Sequence, residues 1–222
     1  MKKLFFTVFA LLSILLVSCN KNNAQGENAK AVDLGLSVKW ATCNIGAANP
    51  GDFGDYYAWG EVDTKEEYRQ DNYLWYNLGE TTIEVLKYND TAGYGNVDLK
   101  FTLESSDDVA HVKLGGKWRM PTYVEFSELL STKLSNKYKW TWETVGGNPG
   151  WQIIYLENNN SIFLPAAALA GRSDATLFYW TSSYAAGDPE HAIVFYADET
   201  QSKVGNYGIS RFCGLPCRPV TE

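Results

Sequence analysis

The chain has 222 residues, of which 45% are hydrophobic, 14% aromatic and 20% charged, with a formal net charge of −7. That is enough apolar material for one globular core, and the composition excludes a disordered chain. The acidic balance gives no electrostatic footprint for nucleic acid, and 14 Tyr, 10 Phe, 8 Trp and 19 Gly against 2 Met favour strands and turns over helical bundles.

Met1, Lys2 and Lys3 precede an apolar run from Leu4 to Val17, interrupted by Thr7 and Ser13. The run is shorter than the about 20 residues a bilayer span takes, as in an export signal. It ends in Leu16-Val17-Ser18-Cys19, which resembles a bacterial lipobox. Residues 1–18 are therefore expected to be a lipoprotein signal peptide and Cys19 the lipidated new N-terminus. The anchor is then the membrane of the cell envelope, most simply the outer membrane, because more than one acyl chain at about 0.8 kcal/mol per buried CH₂ holds stably. Cleavage removes two lysines and no acid, moving the net charge from −7 to −9. Residues 19–31 read as the lipidated cysteine and a polar, flexible tether, and residues 32–222 as one domain. No acidic run follows Cys19, so the membrane face stays open.

Within the domain, Val32 to Ile45 alternates around Gly35 and predicts one or two short strands. Gly46 to Gly60 is dense in glycine, aspartate and aromatics, a loop pinned by buried rings. Residues 61–104 are the least regular. Ser105 or Ser106 is placed to cap a short helix with Asp107 and Asp108 in its first turn and Gly115 as its stop. A second helix is expected after Pro121, where Thr122 and Glu125 form a capping box and Phe126, Leu129, Leu130 and Leu134 make one apolar face. From Lys139 the period changes to two. A turn at Gly146–Gly150 is followed by strand candidates at 151–156, 161–165, 179–184, 192–197, 202–209 and 215–220. Strands at both ends with helices between predict an α+β domain whose first and last strands pair.

Beyond Cys19, three cysteines remain: Cys43, Cys213 and Cys217. Outside the inner membrane a disulfide is permitted. One from Cys43 to either partner would close a loop of roughly 170 residues, for which chain entropy gives about 5 kcal/mol as an upper figure. Zinc is disfavoured, because the Cys213/Cys217 pair has no second pair and only His111 and His191 to complete it.

Six ordered blocks carry a resemblance: Trp40–Gly46 (WATCNIG), Tyr56–Glu61 (YYAWGE), Gly115–Thr122 (GGKWRMPT) with Glu125, Ser161–Ala167 (SIFLPAA), Tyr179–Ser183 (YWTSS) and Arg211–Val220 (RFCGLPCRPV). They resemble the Fibrobacter succinogenes major paralogous domain, a family common in lipoproteins of Bacteroidetes. More distantly they are similar to formylglycine-generating enzymes. The resemblance implies a C-type-lectin-like domain with antiparallel sheets, two helices and long loops. It does not carry over the enzymes' activity, since their copper-binding cysteine pair is unmatched: Phe178 to Ser210 holds no cysteine.

The chemistry of the blocks reads as structural. Arg119, Arg211 and Arg218 are multi-donor groups suited to loop carbonyls or to carboxylates such as Glu125, and Trp118, Trp180, Trp40 and Trp59 are expected in the core. Carboxylate pairs such as Asp52/Asp55, Asp107/Asp108 and Glu125/Glu128 are what 26 acids produce by chance. Ser182, Ser183 and His191 lack a nucleophile elbow. Calcium is the one ion the loops bearing Asp52, Asp55, Asp63, Asp71, Asp90 and Asp98 can be imagined to hold, though without a regular calcium-loop spacing. No other cofactor is expected. The leading expectation is a non-enzymatic recognition module for a glycan or protein ligand, using Tyr184, Asp188, Glu190, His191, Tyr196, Asn206 and Tyr207 from the last strands. The alternatives are a subunit of a surface or periplasmic assembly and a degenerate enzyme.

Overall fold

The computed structural model of the chain describes residues 29–222; the export segment, Cys19 and the tether as far as residue 28 lie outside the described residues. In chain order come strands β1 (Ala31–Val32), β2 (Lys39–Ala41), β3 (Tyr76–Leu78) and β4 (Ile83–Val85), and helices α1 (Val109–Leu114) and α2 (Tyr123–Ser131). Strands β5 (Tyr138–Val145), β6 (Asn148–Tyr155), β7 (Ser161–Pro165), β8 (Leu177–Tyr184), β9 (His191–Ala197), β10 (Ser202–Ser210) and β11 (Val220–Thr221) follow. They form sheets ordered β1-β2-β11, β3-β4, β5-β6-β7 and β10-β9-β8, antiparallel throughout. The architecture is α+β, as the order of elements predicts.

The two ends of the domain close on each other. Val220 pairs with Trp40, so β2 lies between β1 and β11. Arg218, just before β11, is wholly buried and donates to the Asn44 side chain (2.8 Å) and to the carbonyls of Ala41 (2.9 Å), Thr42 (3.0 Å) and Phe163 (2.8 Å). One guanidinium thus ties β2, the approach to β11 and β7 together. Burial pulls its pKa down from the usual arginine value, while the nearby Tyr179 works in the opposite direction.

Sheet β10-β9-β8 is the wall between two cores. All eight residues of β8 are buried, because successive side chains point to opposite faces and both faces are covered. Leu177 and Tyr179 join one core, where Phe126 of α2 stacks on Phe195 (4.8 Å) and meets Trp40 edge-on (4.9 Å). Phe178 and Trp180 join the other, with Trp59, Tyr88, Met120, Val194 and Leu215. There the indole of Trp59 donates to the Thr181 carbonyl and that of Trp180 to the Tyr57 carbonyl, each at 2.8 Å. Buried rings of this size supply area, and their N–H groups need the partners they find.

The helices form largely where the caps predict. Thr122 and Glu125 make the capping box of α2, and Arg119 grips the same carboxylate in a fork (2.8 and 2.5 Å). Leu134 departs from the expected apolar face: it lies beyond α2 in a one-turn 3₁₀ segment and is 95% exposed. For α1 the cap is Asp108 rather than Ser105 or Ser106. Its carboxylate accepts from the amides of Ala110, His111 and Met120, so the cap also fastens the approach to α2. The turn expected at Gly146–Gly150 is only Gly146–Gly147, with Asn148–Gly150 already paired in β6. The last strand is shorter than 215–220, and Leu215 instead bridges Tyr57. Residues 61–104 hold the β3–β4 hairpin and part of a third core of Ala58, Tyr73, Tyr76 and Val85.

Replacing Arg218 by Ala should cost about 3–5 kcal/mol, because four acceptors, three of them buried, lose their donor. Chemical denaturation of the two proteins measures it, and R218K, which lacks the planar fork, should recover little.

Burial alone would raise the pKa of Glu125, but Arg119 and the Thr122 amide outweigh it and hold it below the usual value. A carboxylate lowered on folding stabilises the fold above its unfolded-state pKa and loses that contribution as pH falls through the folded one. Stability should therefore drop on acidification below about pH 4.5, and Glu125→Gln should flatten that drop in urea titrations across the range.

Candidate functional site

The residues expected from the last strands do not share one surface. Tyr184 is buried; its hydroxyl donates to Asp90 (2.7 Å), whose other oxygen accepts from the Gly187 amide (2.8 Å). Glu190 serves through its backbone carbonyl, which takes the hydroxyl of Tyr76 (3.0 Å) and the amide of Arg211 (3.0 Å). Tyr196 packs edge-on against Phe178 (5.0 Å) and donates to Asp198 (2.9 Å). His191 is five residues from it on the regular strand β9, hence on the opposite face. Asn206 and Tyr207 belong to β10, and their side chains lie outside the described residues.

Asp188 and His191 do meet, and they meet a residue not expected from sequence. Asp188 Oδ1 lies 2.9 Å from His191 Nδ1, and Ser210 Oγ lies 3.3 Å from His191 Nε2. His191 and Ser210 are directly opposed across β9 and β10. Carboxylate, imidazole and hydroxyl are thus in line in the order that activates a serine. Ser182 and Ser183, the serines first considered, are buried in β8, and Ser183 accepts the Tyr123 amide instead.

The loop half of the molecule contains a cavity of about 670 Å³, lined by Gly54–Tyr56, Thr64–Arg69 and Ala170–Gly171. Glycines shape its walls. A Cβ on Gly54, whose φ is +77°, would come within 2.3 Å of the Ile45 carbonyl, and one on Gly214 within 2.5 Å of the Tyr68 ring. Tyr68 is thereby held down, with its hydroxyl donating to the Tyr56 carbonyl and accepting from the Lys65 amide (3.3 Å). Burial raises the pKa of both Tyr56 and Tyr68, so both rings are neutral phenols at neutral pH. Lys65 is engaged by Glu61 (2.6 Å), and Arg69 by Glu67 and Asp71. Glu66 makes no ion pair among the described residues. Tyrosine faces bordered by carboxylates and hydroxyls, in a volume that takes a drug-sized ligand, suit a polar ring compound. Of this lining, Asp55 was considered for calcium and Tyr56 lies in a resemblance block, but none was expected to form a site; the density of glycine, aspartate and aromatics in Gly46–Gly60, read as a loop pinned by buried rings, is the signal that could have pointed here.

The aspartates considered for calcium are dispersed. Asp52 accepts the Asn49 amide, Asp63 pairs with Lys113, Asp71 with Arg69, Asp90 holds Tyr184, and Asp98 caps Tyr88 and Asn89. Among the described residues no group of three or more His, Cys, Asp or Glu is arranged for a metal ion.

Cys43 is disulfide-bonded, but not to Cys213 or Cys217 as expected, since both of those thiols are free. The side chain of Cys217 is enclosed in the second core with Cys213 packed at its edge, and Cys43 joins neither of the main cores. Burial pushes both thiols up in pKa. Of the tryptophans expected in the core, Trp40, Trp59 and Trp180 are fully enclosed, whereas Trp118 is only half-buried.

No protein-family model, no curated protein and no solved structure matches this chain.

Tyr184 acts here as a strut rather than as a free ring. Tyr184→Phe should lower stability by about 1 kcal/mol through the lost bond to Asp90, read as a reduced thermal midpoint, and should deprotect the Gly187 amide to hydrogen exchange.

Proposed function

We propose that this protein is a lipid-anchored, non-enzymatic recognition module of the cell envelope, built on a C-type-lectin-like domain and binding a glycan. The cavity of about 670 Å³ between Tyr56, Tyr68 and the 64–69 segment is the observation that carries it. A sugar ring offers one apolar face for a phenol and a rim of hydroxyls for Asp55, Thr64 and Glu66. The block resemblance to the major paralogous domain and the lipobox ending at Cys19 support the class and the anchor. The lectin-like assignment is consistent with paired chain ends, two helices and a loop-rich half.

Glycan-array screening of the full chain tests the reading. A bound glycan should be released at least tenfold more readily from Thr64→Ala and Glu66→Ala, with unchanged thermal midpoints; binding to no glycan, or binding indifferent to both changes, overturns it. For the anchor, Cys19→Ser should abolish incorporation of labelled palmitate and move the protein out of the membrane fraction.

A second reading has one specific observation behind it. The row Asp188–His191–Ser210 has the order and spacing of a hydrolytic relay, although none of the three lines the cavity. Labelling of Ser210 by a fluorophosphonate, lost in His191→Ala, would replace the recognition reading with a hydrolase; absence of labelling leaves the row as a cross-strand clip.

A further inference from the structure

We infer that the open edge of β5 is a self-complementary docking strand for a second copy of this chain, joined antiparallel about a two-fold axis at Thr141.

β5 ends its sheet, with β6 on one side and no described strand on the other. Such an edge presents unpaired amides and carbonyls and is a template for another strand. Which groups face outward follows from the hairpin. Val145 opposes Asn148 beside the Gly146–Gly147 turn, and at the far end the Leu156 amide donates to the Lys137 carbonyl (2.9 Å). Inward bonding therefore falls on Lys137, Lys139, Thr141, Glu143 and Val145, since bonded and non-bonded pairs alternate in an antiparallel ladder. Trp140, Trp142 and Thr144 turn their backbone groups to the open side. The Tyr138 amide is taken by the Ser135 carbonyl (3.3 Å).

A two-fold axis at Thr141 opposes Trp140 of one copy to Trp142 of the other. Both have free outward groups, so each such pair makes two backbone hydrogen bonds, four in all, and Thr141 meets Thr141 at the close, non-bonded position. An axis at Trp142, pairing Trp140 with Thr144, also satisfies the backbone, and one at Trp140 does so less fully, because it sets Trp142 against Tyr138, whose amide is already taken. Charge chooses between them. With the axis at Thr141, Lys139 lies opposite Glu143 of the partner copy, twice by symmetry. At Trp140 it would face Thr141, and at Trp142 it would face Val145. Both charged side chains are exposed, on the face away from the core.

The sequence Lys139-Trp140-Thr141-Trp142-Glu143 is thus its own antiparallel complement. On the core-side face Trp140 and Trp142 already pack edge-on against Trp151 (5.7 and 5.4 Å) and remain half-buried, and Lys133 covers Trp151 at 3.9 Å. Pairing would continue that row of indoles across the axis. Edge strands usually carry a lysine against promiscuous pairing. Here the lysine excludes other strands and admits this one, since opposed opposite charges stabilise and like charges repel.

Sedimentation of the full chain should show a concentration-dependent dimer. Glu143→Lys should raise its dissociation constant about tenfold, because two attractive cross-strand pairs become repulsive, and the swap Lys139→Glu with Glu143→Lys should restore it. Under mild oxidation Thr141→Cys should give a covalent dimer on non-reducing gels, while Thr144→Cys and the unmodified chain should not. A monomer at every concentration, equal cross-linking at 141 and 144, or a swap that fails to rescue overturns the inference.

Discussion

Two positive charges are buried in this domain without a carboxylate to meet them, and most of the structure is arranged around satisfying them. An isolated charge in an apolar interior costs far more than the whole stability of a domain. The guanidinium escapes that cost only where fixed dipoles replace its water. Arg218 finds them in the carbonyls of Ala41, Thr42 and Phe163 and in Asn44. Those acceptors sit on segments more than a hundred residues apart, so the chain ends must close before the charge can be enclosed. Closure of β2 on β11 and burial of Arg218 are therefore one event.

Arg211 repeats the solution in the loop half. It donates to the carbonyls of Lys87 (2.8 Å), Tyr88 (3.2 Å) and Pro189 (2.8 Å) and to the Tyr73 hydroxyl (3.2 Å), and its charge lies 4.8 Å from the Trp59 ring centre. Aromatic faces are negative, which adds to the carbonyl dipoles. Segments without regular structure, such as 86–90 and 185–190, are held in place by this one side chain. Long irregular stretches usually mean mobility; here they are rigid because their backbone carbonyls are the ligands of a cation.

The sequence revealed what depends on local periodicity and capping. The Thr122–Glu125 box, the strand at 161–165 and the closure of the chain ends were legible because each is written in a few adjacent residues or in chain order, although the last strand pairs with β2 rather than with the first. What was not legible is register. Near the β9–β10 turn, Val204 faces Phe195; beyond an irregularity before Gly208, the pairing is shifted by two residues. The unshifted ladder would set Gly208 against His191, and the shift sets Ser210 there. No spacing rule foresees such a bulge. Likewise β8 gave no alternating pattern by which to sort Tyr184 from surface residues, since both of its faces are buried.

The aromatic surplus that marks the composition is mostly consumed by these demands. Trp40, Trp59 and Trp180 fill cores, Tyr73 and Tyr76 line the Arg211 cage, and Tyr184 braces a loop. Two sets among the rings that keep partial exposure stand out: Tyr56 and Tyr68 at the cavity, and Trp140 and Trp142 on the β5 sheet. The two sets differ in their surroundings. At the cavity the rings share the lining with Asp55, Thr64 and Glu66, the setting the proposed polar ligand would need. On β5 the rings alternate with Lys139 and Glu143 along a straight open backbone, the arrangement for another strand. The proposed ligand site and the proposed contact with a second copy would therefore draw on separate aromatic residues, so a change at one surface would leave the chemistry of the other intact.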